Sequence, residues 1–424
     1  MSVRTYAVRA GVVRGQKMAE TTVLVLVLTL VVLVAADQAF VGLNDNRTML
    51  VLQPPAGGQV VVDGVAFRSM LEKLEKLETQ VEALTQQLEK QQCQVVADTT
   101  TITGLTGHSK WVGGVLAGNG KIYGIPFNYE SVLIIEPMIN SVDTTTITGL
   151  SGGGKWAGGV LAANGKICGI PHHSESVLII DPNTNTTDTT TITGLSGVSK
   201  WAGGVLAGNG KIYGVPHTSA SVLIIDPVAN TADTTTITGL EGNGKWSNGV
   251  LVGNGKIYCI PHHSESVLII DPVTSTADTT SITGLSGASK WAGGVMAGNG
   301  MIYGIPYLST SVLIVDPATD TTDTTTITDL SGNLDCCKWL NGVLAGNGMI
   351  YGIPHHSESV LVIDSVTNTA NTTEITGVNT GLVETFFKWH SGVRANNGKI
   401  YGIPHHSESV LILQKVCDYI LKGL

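Results

Sequence analysis

The sequence predicts an all-β protein built on a seven-bladed β-propeller of four-stranded blades. The first observation is a repeat marked by seven tryptophans, at Trp111, Trp156, Trp201, Trp246, Trp291, Trp339 and Trp389. The second is the period of that repeat: the first four steps between tryptophans are 45 residues long, and the last two are 48 and 50. Repeats of roughly 40 to 50 residues with four short strand signals each are typical of propeller blades.

The N-terminal segment has the features of a membrane-targeting sequence. Residues 1–20 contain four basic side chains, Arg4, Arg9, Arg14 and Lys17, against one acidic side chain, and an apolar run follows them. This pattern predicts a basic cytoplasmic tail over 1–20 and a hydrophobic helix over 21–43, which is either a signal anchor or a signal peptide.

Two fates of this hydrophobic helix are open. Val34-Ala35-Ala36 offers a small-residue cleavage site, and cleavage near Ala36 would release a secreted protein. Apolar character resumes after Asp37 through Leu43, which extends the segment to about 22 residues, enough to cross a bilayer. We favour the retained anchor, which predicts a single-pass membrane protein. Its propeller would lie on the lumenal or extracellular side, because basic flanks stay cytoplasmic. An organelle transit peptide is a third, less favoured interpretation.

A linker over 44–66 leads to a heptad segment. Its apolar residues alternate at steps of three and four, at Phe67, Met70, Leu74, Leu77, Val81, Leu84 and Leu88. About three and a half heptads predict a short coiled coil over 67–96, which would join two or three copies of the chain as a homodimer or homotrimer. The alternative is a single amphipathic helix that lies on the propeller.

Each copy of the repeat contains four strand signals, which read GGVLA, KIYGI, SVLII and TTTIT. They are rich in β-branched residues and are bounded by Gly, Asn or Asp-Pro. Asn-Gly joins the first two signals in all seven copies, and this dipeptide favours the type I′ turn of a β-hairpin. The predicted propeller spans 98–416, with a tail over 417–424. Because the region opens on a fourth-strand signal, we expect Thr99 to Leu105 to complete the seventh blade and close the ring.

The copies resemble kelch repeats, the seven-bladed propeller type also seen in the central domain of galactose oxidase. The resemblance lies in a hydrophobic strand ending in Asn-Gly, then Lys-Ile-Tyr, a strand ending in Asp-Pro and a Thr-rich segment, and it covers residues 98–416. The Gly-Gly that follows the tyrosine strand in kelch repeats is Ile-Pro or Val-Pro here. The resemblance implies a propeller fold and names no ligand.

The six cysteines fall into three groups. Cys93 and Cys417 map to the same turn of the repeat, so they are candidates for a disulfide that ties the two ends of the ring, while an interchain bond and free thiols stay open. Cys168 and Cys259 replace repeat residues in separate blades, and we expect buried, unpaired thiols. The pair Cys336-Cys337 lies in an insertion without a partner at metal-ligand spacing, so we predict no metal site there.

Two loops vary between the copies, one before each tryptophan and one after each Ile-Pro or Val-Pro. Both emerge on the same face of a four-stranded blade, and we predict that this face recognises a ligand, since loops on a rigid scaffold usually carry function. The candidate residues are His172, His173, Glu175, His217, His262, His263, Glu265, His355, His356, Glu358, His405, His406, Glu408, Phe386 and Phe387.

The histidines of these loops have three interpretations. The favoured one is a polar loop copied by duplication; the others are a metal site, since imidazole and carboxylate suit zinc or copper, and a pH-sensitive surface. Adjacent histidines rarely bind one ion together, so we predict neither a metal nor a cofactor. The Lys-Trp pairs are interpreted as tryptophans packed between blades with lysines reaching solvent, rather than as a stacking surface for ligands.

The sequence favours binding over catalysis. It has no nucleophile elbow, phosphate loop or spaced carboxylate pair, and only 13% of its residues are charged. A net charge of −9 without a basic patch on the propeller disfavours nucleic acid. We therefore expect a membrane-anchored or secreted non-enzymatic scaffold that recognises a protein or a glycan. The alternative is a secreted enzyme acting on carbohydrate at the channel mouth, and it predicts a region there that breaks the sevenfold pattern.

Overall fold

The computed structural model describes residues 40–43, 50–53, 76–77, 79–82, 93–330, 337–378 and 387–417. The predicted basic tail and most of the predicted hydrophobic helix, linker and coiled coil lie outside these residues, as do Cys336 and Phe386. The chain divides into two compact units, Met1–Lys90 and Gln91–Leu424. Among the described residues, no helix has the length and apolar character needed to cross a bilayer.

The first unit contains one β-hairpin and a helical segment. β1 (Phe40–Leu43) and β2 (Leu50–Gln53) pair antiparallel, with Phe40 opposite Gln53. The end of the predicted hydrophobic helix, Phe40–Leu43, is therefore a strand. Residues 76–77 and 79–82 are helical, and the heptad residue Leu77 is 54% exposed.

The second unit is a seven-bladed β-propeller, which confirms the predicted fold class. Blade 1 is β4 (Trp111–Leu116), β5 (Ile122–Pro126), β6 (Leu133–Glu136) and β7 (Ser141–Asp143); blade 2 is β8 (Trp156–Leu161), β9 (Ile167–Pro171), β10 (Leu178–Asp181) and β11 (Thr186–Asp188). Blade 3 is β12 (Trp201–Leu206), β13 (Ile212–Pro216), β14 (Leu223–Asp226) and β15 (Thr231–Asp233); blade 4 is β16 (Trp246–Leu251), β17 (Ile257–Pro261), β18 (Leu268–Asp271) and β19 (Thr276–Asp278).

Blades 5 to 7 follow the same order. Blade 5 is β20 (Trp291–Met296), β21 (Ile302–Pro306), β22 (Leu313–Asp316) and β23 (Thr321–Asp323); blade 6 is β24 (Trp339–Leu344), β25 (Met349–Pro354), β26 (Leu361–Asp364) and β27 (Thr369–Asn371). Blade 7 takes its first three strands, β28 (Trp389–Arg394), β29 (Ile400–Pro404) and β30 (Leu411–Cys417), from the end of the propeller, and its fourth, β3 (Cys93–Asp98), from the beginning.

The ring closes as predicted, but with a different strand. β3 pairs with β30 from Cys93 opposite Cys417 to Asp98 opposite Ile412, whereas Thr99 to Leu105, the segment expected to close the ring, contains no strand. The propeller therefore starts at Cys93, and residues 93–96 of the predicted coiled coil are strand. Cys93 and Cys417 form a disulfide, with their Cα atoms 3.9 Å apart. Cys168 and Cys259 are buried free thiols, as predicted.

The Thr-Thr-Thr-Ile-Thr segments were wrongly predicted to be the fourth strands. In blade 2 the fourth strand is β11, which ends at Asp188, directly before that segment. The carboxylate of Asp188 accepts hydrogen bonds from the backbone N–H groups of Thr190 and Thr191 and from both of their hydroxyls. Side-chain acceptors of this kind compete with strand pairing for backbone N–H groups, so the chain turns at the aspartate.

Tryptophan packs between neighbouring blades, as predicted. Trp156 of blade 2 lies in one apolar cluster with Val115, Tyr123 and Ile125 of blade 1, and its indole N–H donates to the carbonyl of Ser176 at 2.8 Å. The lysine before each tryptophan does not reach solvent, contrary to the prediction. All seven are at most 5% exposed, at Lys110, Lys155, Lys200, Lys245, Lys290, Lys338 and Lys388.

Candidate functional site in the axial cavity

One ring-bearing side chain from each blade lies around the propeller axis. It belongs to the residue after the proline that ends each second strand: Phe127, His172, His217, His262, Tyr307, His355 and His405. Neighbouring ring centroids are 5.5 to 6.3 Å apart, and the series closes from His405 to Phe127 at 6.2 Å. These seven side chains form a closed circle, which we call the axial ring.

The buried lysines hold the axial ring in place. The backbone N–H of His172 donates to the carbonyl of Lys155 in its own blade at 2.8 Å. The carbonyl of His172 accepts from Lys200 of the next blade, from the backbone N–H at 3.1 Å and from Nζ at 3.0 Å. Lys200 Nζ also donates to Ser174 O and Gly197 O, so all three of its N–H donors have a carbonyl acceptor. This arrangement explains how a lysine is accommodated inside the protein, since buried polar groups require hydrogen-bond partners.

The axial ring borders a cavity of about 600 Å³, within the roughly 300 to 1,000 Å³ typical of small-molecule sites. The innermost strands form its wall, at the two residues that follow each tryptophan. Of the described residues that line it, none is Asp, Glu, Lys or Arg. Phe387 also lines this cavity, with its ring centroid 5.1 Å from that of His355.

Three blades depart from the repeat inside this cavity. Blades 1, 2, 3 and 5 have Val-Gly or Ala-Gly after the tryptophan, whereas blades 4, 6 and 7 have Ser247-Asn248, Leu340-Asn341 and His390-Ser391. Asn248 Nδ2 donates to Asn341 Oδ1 at 3.2 Å, which links blades 4 and 6 past blade 5. Asn341 Nδ2 in turn donates to the carbonyl of His390 in blade 7 at 3.1 Å.

Three histidines of blades 6 and 7 form a compact group at one side of the cavity. The ring centroids of His355, His390 and His405 are 5.7 to 6.0 Å apart. His355 Nδ1 lies 2.8 Å from the carbonyl of Trp389, so Nδ1 carries the proton and Nε2 is an acceptor. Nδ1 of His390 and of His405 is buried without a partner in the described part of the chain. Since an unpaired buried N–H is rarer than an unpaired acceptor, the neutral rings carry their proton on Nε2, as donors.

Burial keeps these histidines neutral. Desolvation, followed by the charges of His173 and His217, lowers the pKa of His172 to about 4, and desolvation with His263 lowers that of His262 to about 4. Desolvation also lowers the pKa of His355 to about 4 and, with His355 and His172 as further causes, that of His390 to about 3. The pKa values of His217 and His405 are lowered too, mainly by desolvation. The axial ring is therefore uncharged at neutral pH.

The second histidines His173, His263 and His356 do not line the cavity, whereas His406 does. His173 stacks on His172 with ring centroids 4.7 Å apart, and its Nε2 lies 3.2 Å from Ser199 Oγ in the next blade. His263 and His406 make the equivalent contacts with Ser289 and Ser109, and His356 is buried beside Phe387. The four glutamates of the predicted face are exposed and do not line the cavity: Glu175, Glu265, Glu358 and Glu408.

The structure brings together the first histidine of each predicted loop and Phe387, but it places the glutamates elsewhere. Phe386 lies outside the described residues. Within those residues, no group of three or more His, Cys, Asp or Glu side chains is arranged to hold a metal ion. Sequence reasoning missed Ser247, Asn248, Asn341, His390 and Ser391. The signal was their departure from the Ala-Gly that follows the tryptophan in other copies.

No protein-family model and no curated protein matches the chain. Solved structures do match it. A streptogramin B lyase has a TM-score of 0.58 at 10% identity, covering 76% of this chain and 98% of the lyase. A virginiamycin B lyase from Staphylococcus aureus has a TM-score of 0.59 at 9% identity, covering 76% and 99%. The extracellular domain of a putative one-component system from B. thetaiotaomicron has a TM-score of 0.56 at 10% identity, covering 74% and 41%.

At these identities the matches show the fold alone, and they support the β-propeller. The three matches named here are two lyases and an extracellular domain, so they do not confirm the kelch resemblance. The lyase activity belongs to those proteins.

Proposed function

We propose that this protein is a non-enzymatic binding protein and that its axial cavity holds a small-molecule or glycan ligand. The observation that carries the proposal is that the departures from the repeat meet in this cavity. Seven equal blades would present seven equal surfaces, whereas Asn248, Asn341 and His390 come from three blades and line one space. Such convergence of a few polar groups in an otherwise apolar or aromatic cavity is typical of a ligand site.

In this proposal the residues of the axial ring and Phe387 contact the ligand. The second histidines, such as His173 and His263, support the ring through their stacking and their bonds to the next blade. The exposed glutamates form the outer rim. The kelch resemblance enters only as kinship of fold.

The N-terminal predictions complete the proposal. The hydrophobic segment that precedes β1, residues 21–39, anchors the chain, and the heptad segment that precedes β3, residues 67–92, joins two or three copies. Several propellers held together on one membrane surface bind a multivalent glycan more tightly than one propeller does, because the second contact is intramolecular.

The test is a binding screen of the purified full-length chain against monosaccharides, oligosaccharides and small metabolites, read by thermal shift and confirmed by calorimetry. Its key variant restores the repeat in the cavity through Ser247→Ala, Asn248→Gly, Leu340→Ala, Asn341→Gly, His390→Ala and Ser391→Gly. The matched control carries Val228→Ala and Val273→Ala, at exposed positions that do not line the cavity. We expect binding by the wild type and the control and at least a tenfold loss in the restored variant. Equal binding by all three proteins would refute the proposal.

The alternative, an enzyme acting on carbohydrate, is favoured by one observation. His355 Nε2 is an acceptor beside the donor rings of His390 and His405, an arrangement that suits proton abstraction. Turnover of any ligand found in the screen, measured by chromatography of the mixture, would distinguish catalysis from binding.

A further inference from the structure

The surroundings of the axial cavity carry a positive charge that no acid in its wall offsets. The seven buried lysines lie directly behind the axial ring; Lys245 Nζ, for example, is 3.1 Å from the carbonyl oxygen of His217. Within the described residues the one ion pair is that of Lys121 with Glu136, so none of these seven ammonium groups is neutralised by contact. Buried charges are screened less than exposed ones, and their field therefore reaches into the cavity.

The pKa values of the ring histidines are affected by this field. The charges of Lys200, Lys245 and Lys290 contribute to lowering the pKa values of His172, His217 and His262, after the larger effect of burial. The exposed glutamates act in the opposite direction from the rim: Glu408 and Glu175 raise the pKa values of Lys110 and Lys200 against the larger effect of burial. A cation in the cavity is repelled by the same charges, whereas an anion is attracted.

The group of His355, His390 and His405 defines which anion fits. A point equidistant from their three ring centroids lies at least about 3.4 Å from each of them. Because a ring nitrogen lies about 1.1 Å from its centroid, a metal ion bonded at about 2.0 to 2.1 Å would lie about 3.2 Å from each centroid, closer than this point, and among the described residues no such group is arranged to hold a metal ion. An oxygen atom hydrogen-bonded to the nitrogen at about 2.9 Å lies about 4 Å from the centroid and is accommodated.

The protonation of the three rings determines which oxygen groups of a ligand they can bind. His390 and His405 present Nε2–H donors, which bind a carboxylate oxygen, and His355 presents an Nε2 acceptor, which binds a hydroxyl. Phe387 and Tyr307 supply flat apolar surfaces beside them.

We propose that the axial cavity binds a small hydroxylated carboxylate of the sugar-acid class, an inference that rests on the function proposed for the cavity. The carboxylate accepts hydrogen bonds from His390 and His405, a hydroxyl donates to His355, and the sugar ring lies against the aromatic side chains.

The test compares probes that share one sugar frame and differ in charge. Calorimetry of the full-length chain at neutral pH measures glucuronate, glucose and glucosamine, and galacturonate and galactose form a second matched pair. We expect at least one acid to bind ten times more tightly than its neutral partner, and glucosamine to bind more weakly than glucose. His390→Ala, which installs the alanine found at this place in blades 2, 3 and 5, lowers the affinity for the acid at least tenfold. Val273→Ala, the matched control, lies at an exposed turn outside the cavity lining and changes the affinity less than twofold.

If neutral sugars bind as tightly as their acids, this inference is overturned and the proposed function stays in place. The same conclusion follows if no sugar acid binds but the protein binds another ligand in the screen. The absence of any ligand in the wider screen overturns both. Melting temperatures of the variants show whether a lost affinity reflects lost folding.

Discussion

Asn248 of blade 4 and Asn341 of blade 6 are hydrogen-bonded to each other, although the whole of blade 5 lies between these two blades. Both adopt positive φ angles, 82° and 59°, at the place where blades 1, 2, 3 and 5 have glycine with φ of 81° to 84°. Between them stands Gly293 of blade 5, and a Cβ atom there would lie 2.0 Å from Asn341 Oδ1. The bond therefore requires a glycine in the blade that it passes.

This relationship predicts effects of different size for two substitutions. Asn341→Gly loses the hydrogen bonds with Asn248 and with the His390 carbonyl, each worth about 1 kcal/mol, but relieves a left-handed backbone, so its free energy of unfolding falls by only about 1 kcal/mol. Gly293→Ala places a side chain at φ +82° against Asn341 and destabilises the protein by about 2 kcal/mol or more. The double variant recovers part of that loss. Denaturant unfolding of the three variants measures these free energies of unfolding. The contact would be contradicted if the change in the double variant equalled the sum of the changes in the two single variants.

A second prediction concerns Cys168, which stands where the other six blades have a tyrosine. In blade 1 the hydroxyl of that tyrosine, Tyr123, donates to Asn185 Oδ1 at 2.9 Å and to Pro182 O at 3.2 Å in the next blade. The equivalent acceptors for blade 2 are present at Pro227 and Asn230, and Asn164 already bonds the former.

We therefore expect Cys168→Tyr to stabilise the protein by about 1 kcal/mol. Cys168→Phe is the control, since it adds the ring without the hydroxyl, and it should be the less stable of the two. Thermal unfolding compares them. A tyrosine variant no more stable than the phenylalanine variant would mean that the inter-blade bond does not form.

A third prediction concerns the disulfide of Cys93 and Cys417, which are 324 residues apart. A crosslink over so long a loop restricts the unfolded chain, and its removal costs about 2 to 5 kcal/mol. The variant with Cys93→Ser and Cys417→Ser should retain the pairing of β3 with β30 but unfold at lower denaturant concentration without reductant. A free energy of unfolding equal to that of the wild type would show that the bond adds nothing to stability.

A fourth prediction concerns pH. The ring histidines titrate near 6.5 when unfolded, and those at 172, 262 and 355 have pKa values of about 4 when folded. Between these values the unfolded chain binds more protons, so the free energy of unfolding falls as pH decreases from about 6.5 towards 4. The turn aspartates add a second loss: hydrogen bonds from Thr191 and from the Thr190 backbone lower the pKa of Asp188 from 3.8 to about 2, and this stability disappears between those values.

The control for the histidine effect comes from the ring itself, because Phe127 and Tyr307 occupy equivalent positions. The variant with His172→Phe and His262→Tyr should lose less stability between pH 6.5 and 4 in denaturant titrations. If the free energy of unfolding fell with pH as steeply as in the wild type, other groups would be the cause of the acid sensitivity.

The sequence was sufficient to predict the blades but not the site. Asn-Gly turns and β-branched runs are local signals, so the first three strands of each blade followed from them. The fourth strand was misplaced because threonine favours strands, while the carboxylate of Asp188 and its equivalents bind the N–H groups that a strand would use. Lysines before the tryptophans were expected in solvent, since nothing local reveals that backbone carbonyls, some from the preceding blade, accept hydrogen bonds from each ammonium group.

The histidines raised a different problem. Their loops were predicted to share one face of the blades, and the structure brings His172, His217, His262, His355 and His405 around the propeller axis. This convergence depends on the curvature of the ring, which the repeat does not encode in any one copy. The departures at Asn248, Asn341 and His390 were visible in the sequence but gain meaning only once the innermost strands are known to face one another.

Blade 7 combines residues from both ends of the propeller, and it also carries His390, Ser391 and His405. During synthesis, six blades can emerge from the ribosome before β3 (Cys93–Asp98) is able to pair, because its partner strand β30 is synthesised more than 300 residues later. The most specialised wall of the cavity is therefore the last to be assembled. A chain cut short before β28 would have neither a sealed ring nor two of the three imidazoles, His390 and His405, so incomplete products would lack the ligand site.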